Sequence, residues 1–262
     1  MTSGIVAAVA VAVLVPAAVA FTGQAGAEAS ATAAAAAPRL APGVVFENPG
    51  TLAGWSNPNP KPQQKGVIKD VSSPTYKGNT AIMAQQTYVA SNGKRYHSEV
   101  VKEHAQSVGQ DYYYGMALYI PSDWVFTSQP TCFEQWAPEN PGGPWLLMVL
   151  NGSNIQWLGN GSGYNTVASV ASLRGTWVRI VTHLKLAHSG GALEVWVNGS
   201  KVVSKTGNWA PNQDGNTIRW STGLYATYWN KQAPKGPHVI TLYGDNYRIA
   251  TSYAAAEPAN WG

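Results

Sequence analysis

Thr176-Trp177-Val178-Arg179-Ile180-Val181-Thr182-His183-Leu184-Lys185-Leu186 alternates between side chains that avoid water and side chains that tolerate it. Successive residues of a strand point to opposite faces, so this run predicts one long strand that is wetted on a single face. Gly190-Gly191 then turns the chain into Ala192-Leu193-Glu194-Val195-Trp196-Val197, and Asn198-Gly199 turns it again into Lys201-Val202-Val203. Both dipeptides are the chemistry of tight hairpins.

Working outward, the same short runs recur. Val44–Glu47, residues 66–71 and 80–89, Thr131–Trp136, Trp145–Leu150, Asn154–Leu158, Val167–Leu173, Gly223–Tyr228 and Val239–Ile249 read as strands, with Pro, Gly and Asn clusters between them. No segment of convincing length carries a 3.6-residue period. Many short strands with turn signals between them predict an all-β protein, a β-jelly roll or concanavalin-like sandwich of two antiparallel sheets.

Composition agrees. Only 11% of the 262 residues are charged, whereas Gly (27), Pro (17), Trp (11) and Tyr (13) are plentiful, as suits a turn-rich aromatic β fold. The formal charge of +4 admits an anionic partner. The basic residues are scattered rather than clustered, which argues against nucleic acid. The single cysteine, Cys132, excludes an internal disulfide framework and reads as a buried packing thiol.

Residues 1–27 read as a secretory signal: Gly4 to Ala20 is small and apolar, and Ala25-Gly26-Ala27 offers a cleavage site. The apolar run is short and broken by Pro16, so no membrane span is expected in the mature form. Residues 28–42, a mixture of Ala, Ser, Thr and Pro, read as a linker, and residues 43–262 as the folded domain. The expected product is a secreted, extracellular monomer.

The chemistry-bearing stretch is Arg95-Tyr96-His97-Ser98-Glu99-Val100-Val101-Lys102-Glu103, followed by Asp111-Tyr112-Tyr113-Tyr114-Gly115. In an extended chain Arg95, His97 and Glu99 share one face, while Tyr96 and Ser98 turn to the other. A cation, an imidazole and a carboxylate then stand side by side. An exposed strand with an ordinary Arg–Glu pair would look the same, so the company this run keeps decides its meaning.

That company resembles the β-jelly-roll polysaccharide lyases of the glucuronan lyase and heparin lyase I type, over about Val44 to Tyr253. His97-Ser98-Glu99-Val100 is similar to their Arg-Ser-Glu or His-Ser-Glu strand, Phe133-Glu134-Gln135-Trp136 to their Gln-Trp-His strand, and Gly223-Leu224-Tyr225 to their Lys-x-Gly-x-Tyr strand. Gly244-Asp245-Asn246-Tyr247-Arg248-Ile249 is similar to their closing Asp-Asn-x-x-Ile strand. Two positions depart: Ala137 stands where the family often has His, and Ser221 where it has Lys. The glucuronan lyase pattern, with His on the first strand and Gln and Tyr completing the site, is the nearest fit.

The resemblance implies cleavage of a β-1,4-linked polyuronate, glucuronan first, by β-elimination. The C5 proton of a uronate is weakly acidic because the neighbouring carboxylate is already negative, so that carboxylate must be neutralised or hydrogen-bonded as charge spreads into it. Gln135 and His97 are expected to hold it, and Tyr225 to carry the proton, with His97 as the alternative base. A phenol titrates near about 10, so Tyr225 is expected to need a nearby cation to act as base. Arg95, Trp136, Tyr228 and Lys231 are the expected substrate contacts, although Tyr228, three residues from Tyr225, falls on the opposite face of a regular strand. The resemblance also implies a structural Ca²⁺ joining the first and last strands, with Glu47 and Asp245 as oxygen ligands.

Other classes stay open at this level. A non-catalytic carbohydrate-binding or lectin-like module would use the same Trp and Tyr as stacking platforms. A lyase for alginate or a glycosaminoglycan would use the same fold. A glycoside hydrolase fits less well, because no Glu-x-Asp-x-x-Glu strand is present to supply its pair of carboxylates.

Overall fold

Alternation with a period of two folds as antiparallel sheet throughout the computed structural model, which describes residues 40–57, 60–90, 92–139, 144–159, 161–211 and 217–261. The expected signal segment and most of the expected linker lie outside these residues. In chain order the strands are β1 (Val44–Asn48), β2 (Lys65–Val71), β3 (Ala81–Thr87), β4 (His97–Ser107), β5 (Asp111–Ile120), β6 (Thr131–Pro138) and β7 (Leu146–Asn151). They continue as β8 (Asn154–Gly159), β9 (Ser162–Ser169), β10 (Thr176–Lys185), β11 (Ala187–Val197), β12 (Ser200–Trp209), β13 (Thr217–Ala226) and β14 (Val239–Ala250). The only α-helix among the described residues is the single turn α1 (Tyr253–Ala256).

The strands form two sheets. One runs β12-β11-β10-β5-β14-β3-β2, with β1 also paired to β14; the other runs β4-β13-β6-β7-β8-β9. The fold is therefore the expected β-jelly-roll sandwich of two antiparallel sheets. The decisive run 176–185 is β10, whose Val178, Ile180 and Leu184 are fully buried between the sheets.

Large aromatics fill the space between the layers. Tyr114 of β5 meets the ring edges of Trp136 and Trp220 at 5.4 and 5.3 Å, and Trp55 bridges Trp220 to Tyr247. Removing a core indole of this kind typically costs about 3–5 kcal/mol. This packing fixes the six-stranded sheet against the eight-stranded one, and so fixes which faces of β4, β13 and β6 are left outside.

Two strand boundaries differ from the sequence reading, with consequences for the site. β13 begins at Thr217 and ends at Ala226, so Tyr228 lies in the turn beyond it and not on a strand. Val167–Leu173 is the end of β9 followed by a 3₁₀ turn at Ala171–Leu173.

Candidate active site

β4 separates its two kinds of side chain as the alternation demands. Tyr96, Ser98 and Val100 are fully buried. Ser98 Oγ donates to the Gln85 carbonyl (2.8 Å) and accepts from Gln86 Nε2 (2.7 Å), which pins β4 to the opposite sheet. Arg95, His97, Glu99, Val101 and Glu103 all line a groove on the outer face. The free edge of β4 is closed by the segment that precedes β2. Gln63 N donates to the His97 carbonyl (2.8 Å), Ser56 N to the Val101 carbonyl (3.0 Å), and Glu103 N to Ser56 Oγ (2.9 Å). That segment brings Asn57, Pro60, Lys61 and Gln63 to the groove wall.

β13 and β6 complete the floor. Gly223, at φ +137°, sits where a Cβ would lie 2.3 Å from the Ser98 carbonyl oxygen, so only glycine allows β13 this close to β4. Two residues on, Tyr225 pairs directly with His97, and the two rings stack with centroids 3.7 Å apart and planes at 15°. On the other side of β13, Gln135 pairs with Ser221. Gln135 Nε2 donates to Glu99 Oε1 at 2.6 Å, and the other oxygen of Glu99 is hydrogen-bonded to His97 Nδ1. One carboxylate thus holds both groups expected to grip the substrate, leaving His97 Nε2 uncommitted to that contact. The groove has a volume of about 360 Å³, and Arg95, His97, Glu99, Gln135, Arg219, Ser221 and Tyr225 converge on it.

Burial raises the Tyr225 phenol above its ordinary value; the Arg95 charge opposes this, while Cys132 and Glu99 reinforce it. The cation expected beside Tyr225 is present, but it does not outweigh desolvation. Arg219 supplies a second cation that sequence reasoning missed. It pairs with Ala137 and lies two residues before Ser221 on the same face of β13, so a guanidinium lines the groove where both departures from the family pattern fall. The signal was the period of two, counted back from Ser221. Glu99, Lys61 and Gln63 were likewise not among the expected contacts.

Three expected contacts stand elsewhere. Trp136 is fully buried against Tyr114, on the face of β6 opposite Gln135, so it is a core residue and not a sugar contact. Adjacent strand residues cannot share a face, which is the physical reason for that correction. Tyr228, 37% exposed, lies in the turn after β13, and is not among the residues that line the groove. Lys231 is exposed in the same turn, where the neighbouring Asn230 carbonyl accepts from Gly93 N at 3.1 Å.

The expected cation ligands also separate. Glu47 is paired with Arg248, at 2.9 Å to Nε and 2.8 Å to Nη2, and a guanidinium in that place does not fit a shared ion. Asp245 is buried and accepts backbone N–H groups from Tyr76 (2.8 Å), Lys77 (3.3 Å) and Asn246 (2.7 Å). Its Oδ1 and the Thr80 carbonyl lie 2.5 and 2.7 Å from where a Cβ on Gly50 would stand, so hard oxygens do crowd one spot there. Among the described residues no three His, Cys, Asp or Glu side chains gather, so a cation at Asp245 would rely on backbone oxygens.

The fold and groove are those of a carbohydrate-active jelly roll, and the comparisons with known proteins agree. Residues 47–248 match the family model described as polysaccharide lyase, and the chain belongs to that family. It is a lyase. Among solved structures it is similar to the endo-β-1,4-glucuronan lyase of the fungus Trichoderma reesei, with 24% identity over 83% of this chain and 100% of that one, and a TM-score of 0.74. It is also similar in fold to the cellulose-induced protein Cip1, with 15% identity over 79% and 98% of the two chains, and a TM-score of 0.55. No curated protein sequence matches it.

Proposed function

We propose that this lyase cleaves a β-1,4-linked polyuronate, glucuronan first, by β-elimination in the groove of β4, β13 and β6. The observation that carries the reading is the convergence of His97, Gln135 and Tyr225 from three neighbouring strands, with Arg95 and Arg219 beside them. Arg95, Arg219 and the second amide hydrogen of Gln135 suit a uronate carboxylate, and their charge lowers the cost of spreading an electron pair into it.

Tyr225 carries the proton. As phenolate it takes the C5 hydrogen; the C4–O4 bond breaks as C4=C5 forms, and the phenol returns the proton to the departing O4. In a 4-linked glucuronate that hydrogen and oxygen lie on the same face of the ring, so one hydroxyl serves both steps. The bond from Glu99 to His97 Nδ1 favours a second reading, in which His97 Nε2 is the base and Tyr225 only the acid.

The test is absorbance at the ultraviolet edge during incubation with glucuronan, alginate, heparin and pectate, since elimination leaves a conjugated unsaturated uronate. Glucuronan should give the fastest rise. A rise with none of them, together with saturable binding, would leave a carbohydrate-binding role. We further propose export of a monomer, on the strength of the apolar run 4–20; among the described residues no helix is long and apolar enough to cross a membrane. A Ca²⁺ bound at Asp245 and the Thr80 carbonyl, without Glu47, would tie the strands together and take no part in elimination.

A further inference from the structure

At Arg95 the groove opens into a second space. Gln63 and Arg95 line the groove and also line an open hollow of about 540 Å³, whose other walls are Gln64, Gly93 and Lys94. Two backbone segments build this hollow, and both are pinned. Gln63 N donates to the His97 carbonyl at 2.8 Å, and the Gln63 carbonyl accepts from Gln86 Nε2 at 3.2 Å, which holds the segment that carries Lys61 on the groove wall. Opposite, Gly93 N donates to the Asn230 carbonyl at 3.1 Å and Lys94 N to Asn92 Oδ1 at 3.0 Å, which holds the turn that leads into β4.

The cations along these walls lack partners. Arg179, Lys201 and Arg248 are each paired with a carboxylate elsewhere on the molecule. Lys61, Lys94 and Arg95 are exposed and have no ion pair among the described residues, and no acid lines the hollow. Like charges carried on a fixed backbone make a surface complementary to an anion. The reacting carboxylate is served by Gln135, Arg95 and Arg219, which leaves Lys61 and Lys94 for a different one. We propose that Lys61 and Lys94, joined to the groove through Gln63 and Arg95, form a subsite for the carboxylate of the uronate next to the one that reacts. The substrate class this implies is a chain with uronates at consecutive positions, as opposed to one in which a uronate alternates with an uncharged sugar. Lysine suits the task, because an ammonium on a flexible stem meets a carboxylate from several angles, whereas the reacting sugar needs fixed donors. The inference rests on the groove being the site of elimination.

The test compares glucuronan with the same polymer after partial reduction of its carboxylates to neutral glucose units. A uronate flanked by glucose can still react but cannot engage the subsite, so in the wild type kcat/KM should fall by more than the share of uronates removed. In Lys61→Ala/Lys94→Ala the KM for glucuronan should rise about 2- to 25-fold with kcat little changed, as two exposed charge pairs are lost, and the fall on reduction should become proportional. Lys185→Ala/Lys205→Ala removes the same charge from exposed positions on β10 and β12 of the other sheet and should match the wild type. Equal KM values in the two double variants would overturn the subsite, as would a proportional fall in the wild type. If the wild type cleaves no polyuronate, the proposed reaction fails, and calorimetric titration with oligoglucuronates decides the subsite. Weaker binding in Lys61→Ala/Lys94→Ala than in Lys185→Ala/Lys205→Ala supports it; equal binding, or none to the wild type, ends it.

Discussion

The ring of His97 lies flat against the ring of Tyr225, 3.7 Å between centroids, although 127 residues of chain lie between them. The stack fixes the Tyr225 hydroxyl by its ring and leaves the oxygen free to act. Tyr225→Phe should keep the stack and the melting temperature while kcat falls about 10²- to 10⁴-fold with little change in KM, the range of a general acid–base step. Steady-state kinetics on glucuronan checks this. More than about a tenth of wild-type activity would assign the proton to another residue.

Glu99 should act as a positioning residue, since it touches His97 and Gln135 and both must be oriented before a substrate arrives. Glu99→Gln should lower kcat/KM by about 10- to 100-fold. In the double variant Glu99→Gln/Gln135→Ala the losses should be less than additive, because the two changes remove one shared contact. Full additivity would mean that Glu99 does not work through Gln135.

The two assignments of the base part company in their pH dependence. Tyr225 is raised above an ordinary phenol by burial, and a base must be deprotonated to act. With Tyr225 as base, kcat/KM should keep climbing through pH 9 in the wild type. A profile that levels off near neutrality would assign the base to an imidazole, His97.

Glu134, next to Gln135 but on the inner face, is fully buried with Trp220 Nε1 at 2.9 Å, and burial pushes its carboxyl up to about 8. The folded state therefore holds a proton that the unfolded chain releases near about 4.5. Its contribution to stability is complete below that value and is lost as pH rises to about 8. Glu134→Gln, neutral at all pH, should show a flatter curve of melting temperature against pH and gain on the wild type above pH 7. Parallel curves would mean that Glu134 ionises without cost.

Ca²⁺ should raise the melting temperature of the wild type and chelation should reverse the rise, by the usual linkage of binding to stability. Asp245→Asn should abolish the response, and Glu47→Gln should leave it in place because Glu47 is occupied by Arg248. No response in the wild type would remove the ion from the account.

The local chemistry of this protein was legible in its sequence. Period-two alternation over 176–185, with hairpin dipeptides after it, is sufficient for antiparallel strands, because the side-chain direction of an extended chain is set by covalent geometry alone. The same rule placed Arg95, His97 and Glu99 on one face, and the order of the short motifs pointed to the family. Tertiary structure decided what depends on which strands become neighbours. Trp136 went into the core because Gln135 faces the groove. Tyr228 left the strand because β13 ends at Ala226, and Glu47 met Arg248 across the β1–β14 pairing. Arg219 reached the groove only because β13 runs between β4 and β6, with Gly223 permitting the close approach. Pairing partners and desolvation are long-range properties, and they fix which of the exposed residues can meet a single sugar.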